Sequence, residues 1–224
     1  MRAISKPKSF VKKIPNILTI VRVGCFPIIT VFLILNIYFV IHFYSLNNPL
    51  KSSEIYSEIN LFHFIAGMVF VIASLTDFVD GYIARKYHCE STFGKLWDPL
   101  ADKLIVNSVL ILFSYQKIIP IYIPIIMIAR DVVVNAYKMY AASQNVIVAA
   151  DYYGKAKTVA QMAAIILAFF IFCNKSEENS INQNSKFVYW AVQNLLFYLA
   201  TLLSVISLVI YIWKINNQLK TKNK

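Results

Sequence analysis

The chain has 224 residues, 58% of them hydrophobic and only 15% charged, a balance that excludes an ordinary water-soluble domain and fits a polytopic membrane protein. Its net charge of +11 gathers at the ends, in Arg2, Lys6, Lys8, Lys12 and Lys13 and in Lys214, Lys220, Lys222 and Lys224. Basic clusters beside apolar segments read as cytoplasmic flanks against anionic headgroups, so membrane lipids are expected as partners and nucleic acid is not.

A membrane-crossing helix needs about 20 apolar residues. Six stretches qualify in chain order: 14–44, 59–85, 96–115, 119–142, 154–173 and 187–215. The first follows a basic start, as a signal peptide would. It is too long for one, carries Arg22 and Pro27, and lacks a small-x-small cleavage site, so it reads as an uncleaved first span with room for a surface-lying piece ahead of it. Residues 45–58 read as a loop, Lys117 and Pro120 mark a tight turn, and 174–186 is a polar loop. The predicted fold is all-α, one domain over 1–224, with a basic N-terminal segment at 1–13 and a basic tail at 216–224.

Lysine and arginine concentrate in the tails and in 86–95 and 143–157, while the loops between them hold Glu54, Glu58, Glu177 and Glu178. The positive-inside rule then puts both termini on the cytoplasmic side of the cell membrane. Cys25, Cys89 and Cys173 are widely spaced with no CxxC pair, and read as free thiols. His42, His63 and His88 are scattered singly and read as interfacial residues.

Chemistry concentrates in one stretch. Asp77, Asp80, Asp98 and Asp102 lie at spacings of i, i+3 and i, i+4, so each pair shares one helix face. A carboxylate at membrane depth costs a few kcal/mol at least and marks a functional site. Four together repel unless cations sit among them. The economical reading is one or two divalent metal ions on carboxylate oxygens, with positions left open for a phosphate-bearing substrate. Gly81 and Ala84, on the same stripe, let a ligand or another helix approach the backbone closely. Gly94 reads as a turn residue opening the third span, and Pro99 as a harmless first-turn proline.

The full pattern, Asp77-x2-Asp80-Gly81-x2-Ala84-Arg85-x8-Gly94-x3-Asp98-x3-Asp102, resembles the signature of the CDP-alcohol phosphotransferase family of integral membrane enzymes. That resemblance implies six transmembrane helices enclosing a cytoplasm-facing metal site with two Mg2+ or Mn2+ ions, and a homodimer. It makes Asp77, Asp80, Asp98 and Asp102 metal ligands, with Asp102 also the general base. Gly81, Ala84, Arg85 and Ser91 would contact the nucleotide together with Asp77.

Ile14-Pro-Asn-Ile-Leu-Thr-Ile-Val-Arg22 resembles the start of the phosphatidylglycerophosphate-forming branch, in which Asn16 and Thr19 would help bind the CDP-lipid. Taken alone, Asn16 is as readily a helix cap. Ile128-Ala-Arg-Asp131 and the segment from Gly154 to Met162 resemble the same branch, and make Arg130, Lys155 and Lys157 a site for the acceptor's phosphate at the cytoplasmic ends of spans four and five. The implied reaction joins CDP-diacylglycerol to glycerol 3-phosphate. Asp131 and Lys138 depart from the Glu and Arg common in that branch, and Arg-Asp also occurs in cardiolipin synthases of the same fold, which take phosphatidylglycerol. A more distant alternative is an ion or proton transporter using the aspartates as a relay. Against it, all four acids sit at one end and no charged partner continues across the membrane.

Overall fold

The computed structural model describes residues 14–46, 52–87, 92–144, 152–173 and 183–222, and all regular structure among them is helical. The helices are α1 (Ile14–Leu46), α2 (Ser52–Tyr87), α3 (Thr92–Tyr115), α4 (Tyr122–Ser143), α5 (Tyr152–Cys173) and α6 (Gln183–Lys222). Two compact units divide them. One contains α1, α2 and α3 as far as Leu112; the other contains the end of α3 from Phe113, α4, most of α5, and α6.

The core is mainly apolar, but the surface is apolar too, unlike that of a water-soluble protein. Ile20, Val31, Ile34, Leu75, Phe78, Leu202, Val209 and Trp213 are exposed, whereas Arg22, Asn36, His63, Gln161, Asn194 and Ser207 are buried. Ile17–His42, Leu61–Val79 and Asn194–Lys220 are each long and apolar enough to cross a membrane, and Ala156–Phe170 is a shorter apolar helix. Lipid is the solvent such a surface suits.

In the first unit α1 packs along α2. Buried residues recur every three or four positions on α1, as Thr19, Arg22, Cys25, Ile29, Leu33 and Asn36, and on α2, as His63, Ala66, Phe70 and Ala73. That spacing is the seam of two helices packed knob into hole. The Arg22–Asp77 ion pair and the stacked Phe39 and Phe62 rings, 5.3 Å apart, fix the pair as antiparallel. Arg22 and Asn36 are as far apart in sequence as Asp77 and His63, so the register that pairs the first brings Asn36 level with His63. His63 is therefore a core residue and not an interfacial one; His42 is exposed and stacks on Tyr38.

Several boundaries differ from the sequence reading. α1 is one unbroken helix through Pro27, with no separate surface piece. α2 begins at Ser52, inside the expected loop, because Ser and Glu are compatible with helix when an apolar run follows. α3 begins at Thr92, which places Gly94 inside the helix rather than in a turn and moves Pro99 past its first turn. There a proline removes an intrahelical hydrogen bond, so Pro99 is not neutral to its helix. α6 continues through most of the basic tail to Lys222.

In the second unit α3 ends in a Schellman turn. Lys117 adopts a left-handed φ of 59°, its N–H donates to Ser114 O at 3.0 Å, and the Ile118 N–H donates to Phe113 O at 2.9 Å. Buried Ile118 and Ile119 anchor the turn. α4 packs against α6 in parallel: Tyr122 shares a hydroxyl hydrogen bond with Tyr198, Arg130 meets Ser204 and Ser207, and Lys138 lies over the Tyr211 ring. Phe113 and Phe169 meet edge to face at 4.8 Å and tie α5 into this unit.

Candidate functional site

Among the described residues, each unit holds a polar grouping. In the first, Asp77 stands on α2 at the end of the α1–α2 seam. Arg22 Nη1 is 2.8 Å from Asp77 Oδ1, and the Arg22 side chain is 1% exposed against 46% for Asp77. A guanidinium keeps its charge in any protein environment, so a buried one requires a carboxylate. Thr19 is fully buried one turn before Arg22 on the same face. Asp102, on α3 of the same unit, is half-buried between buried Ala101 and Ile105 and is placed here by unit alone, not by a contact with Asp77.

Asp80, Gly81, Ala84 and Arg85 belong to the helical backbone of α2, Asp98 to α3, Lys155 to α5 and Asn16 to the first turn of α1; that position makes Asn16 a helical residue rather than a cap. Their side chains, and Ser91 altogether, lie outside the described residues. The backbone sets Asp80 one turn from Asp77 and Asp98 one turn from Asp102, as expected. The four aspartates offer carboxylate oxygen alone, a donor type that suits a hard cation such as Mg2+ or Mn2+; among the described residues no three candidate ligands are gathered. A partly exposed Asp77 with one oxygen held by Arg22 and the other left for a cation fits that group.

The second cluster surrounds Asp131. Arg130 spreads its guanidinium over three acceptors: Nε donates to Ser204 O at 3.2 Å, Nη1 to Asp131 Oδ1 at 2.9 Å, and Nη2 to Ser207 Oγ at 2.6 Å. Lys157 Nζ donates to the same Asp131 Oδ1 at 2.8 Å. Two cations thus share one carboxylate oxygen, and the cluster keeps net positive charge. The Arg130 side chain is 11% exposed and that of Lys157 5%, so neither is a lipid-headgroup anchor. Nor does Arg130 sit at a helix end; it lies near the middle of α4, while Lys157 is in the second turn of α5. At Gly154 α5 passes beside α6, where a Cβ would make only ordinary contact with Ser207 Oγ at 3.6 Å. Ser204 Oγ is buried with no hydrogen-bond partner among the described residues.

The family model for CDP-alcohol phosphatidyltransferases matches residues 12–213. The chain belongs to that family. Among similar proteins, one from Mycoplasma pneumoniae (strain ATCC 29342 / M129 / Subtype 1) is 37% identical over 217 residues, covering 97% of this chain and 93% of its own. One from Mycoplasma genitalium (strain ATCC 33530 / DSM 19775 / NCTC 10195 / G37) is 36% identical over 225 residues, covering 98% and 90%. One from Haemophilus influenzae (strain ATCC 51907 / DSM 11121 / KW20 / Rd) is 34% identical over 203 residues, covering 89% and 91%. All three are named CDP-diacylglycerol–glycerol-3-phosphate 3-phosphatidyltransferase.

For this CDP-alcohol phosphatidyltransferase, sequence reasoning gave no role to Arg22, Asp131, Ser204 or Ser207. Arg22 and Asp131 stand within sequence motifs that resemble the family. Ser204 and Ser207 carried a fainter signal, two hydroxyls one turn apart in a long apolar helix.

Proposed function

We propose that the chain transfers the phosphatidyl group of CDP-diacylglycerol to glycerol 3-phosphate, giving phosphatidylglycerophosphate and CMP. The observation that carries this reading is similarity along nearly the whole chain to proteins named for that reaction. Asp77, Asp80, Asp98 and Asp102 hold the divalent cations, two Mg2+ or Mn2+ by resemblance to the family. Bound there, the cations neutralise the pyrophosphate and make CMP a better leaving group.

The rest is done by side chains. Asn16, Thr19, Gly81, Ala84, Arg85 and Ser91, with Asp77, receive the CDP-lipid. Arg130, Lys155 and Lys157 supply positive charge for the acceptor's phosphate, with Asp131 fixing the directions of the first and last. Asp102 accepts the proton of the acceptor's primary hydroxyl. The freed oxygen bonds to the phosphorus bearing diacylglycerol, and the bond from that phosphorus to the CMP oxygen breaks. Such transfers depend mainly on positioning and electrostatics, which a few charged side chains can supply.

The same reading extends to the whole chain: one functional domain over 1–224, six spans, both termini cytoplasmic in the cell membrane, and a homodimer. The exposed apolar surface and the basic tails support it. The test is CMP release by the purified protein from CDP-diacylglycerol, with and without glycerol 3-phosphate and Mg2+. Release that requires all three components is expected. A protein that neither binds cytidine nucleotide nor releases CMP would leave the transporter reading standing.

A further inference from the structure

We propose that Arg22 is a positioning residue for Asp77: its guanidinium holds Oδ1 so that the carboxylate presents its other oxygen in a fixed direction to the cation. This rests on the proposed role of Asp77 as a metal ligand. The contact is an ion pair, with Arg22 Nη1 2.8 Å from Asp77 Oδ1, between a side chain 1% exposed and one 46% exposed. The asymmetry carries the argument. Asp77 is half-open at its end of the seam, whereas Arg22 is closed in between the two helices. Arg22 is the residue taken out of solvent at a cost, and an apolar side chain would hold α1 to α2 at least as well.

What an apolar residue would not do is fix the rotamer of a carboxylate at the end of the seam. Outer groups that hold metal ligands commonly serve that purpose, and their loss weakens metal affinity about 10- to 100-fold. Arginine suits the task because its planar, permanently charged fork is rigid where a lysine ammonium is not. The seam supplies the remaining precision. Arg22 is flanked one turn away on each side by buried Thr19 and Cys25, which leaves its stem little freedom.

The experiment is a Mn2+ titration of the purified full chain in nanodiscs, without CDP-lipid, following free Mn2+ by electron paramagnetic resonance. Arg22→Met, of similar length and uncharged, should weaken Mn2+ binding about 10- to 100-fold. Arg22→Lys should recover part of the loss, and the KM for glycerol 3-phosphate should move less than about twofold. Removing a positive charge beside a cation site would by itself tighten binding, so a loss cannot be a simple charge effect. Unchanged or tighter Mn2+ binding by folded Arg22→Met overturns the proposal, whether or not its melting temperature falls. Should Arg22→Met not fold, Arg22→Lys carries the test, and affinity equal to that of the native protein overturns it. Asp77→Asn separates the two levels: native affinity in that variant removes Asp77 from the metal site, and this inference with it.

Discussion

Substitution tests the roles proposed for the four aspartates. Asp77→Asn and Asp80→Asn remove ligand charge and should abolish turnover, and a chelator should abolish it in the native protein until Mg2+ or Mn2+ is restored. Full activity in chelator contradicts the metal assignment. Asp102→Asn should lower kcat by roughly 100- to 10,000-fold, the usual contribution of a general base, while CDP-lipid binding changes much less. Asp98→Asn should weaken binding and rate together. Equal effects of the two on binding would remove the case for a separate base. These four residues stand out in the sequence because carboxylates are conspicuous among apolar residues. Arg22 was equally visible but carried no assigned role, because its meaning comes from a contact between two helices that no local pattern encodes.

Helices α4, α5 and α6 meet around Asp131, and their joint stability should depend on it. Asp131→Asn leaves Arg130 and Lys157 facing each other without the shared carboxylate, and should cost about 2 to 4 kcal/mol in thermal unfolding. Native stability in that variant would contradict the shared-carboxylate account. Arg130→Ala should raise the KM for glycerol 3-phosphate roughly tenfold or more while leaving that for CDP-diacylglycerol nearly unchanged. Equal changes in both constants would argue against an acceptor role. At the α3 terminus, Lys117 holds a left-handed backbone better suited to glycine. Lys117→Gly should stabilise the protein by about 1 kcal/mol, read as a higher melting temperature. Helix existence was readable from apolar runs, but helix starts were not. Ser52 and Thr92 begin helices within polar sequence, and continuation of helix there is decided by packing further along the chain rather than by local composition.

For the whole molecule, the exposed apolar surface and buried polar side chains agree with the composition from which a membrane protein was expected. The family was legible because eight fixed positions fall within a short window of this sequence, whereas the acceptor site is proposed on a few basic side chains whose contacts, such as Arg130 with Ser204 and Ser207 and Lys157 with Asp131, come from packing between helices. Arg130, read as residing at a helix end, is a mid-helix residue bonded to α6, and its directions are set by Asp131 and Ser207. Glycerol 3-phosphate carries about two negative charges near neutral pH and phosphatidylglycerol's phosphodiester only one, so a net positive cluster favours the former. The most direct test offers the purified protein CDP-diacylglycerol with glycerol 3-phosphate, phosphatidylglycerol, serine and inositol phosphate in competition. Phosphatidylglycerophosphate as the dominant product, formed with one CMP per turnover, is the predicted result; cardiolipin as the dominant product would contradict it.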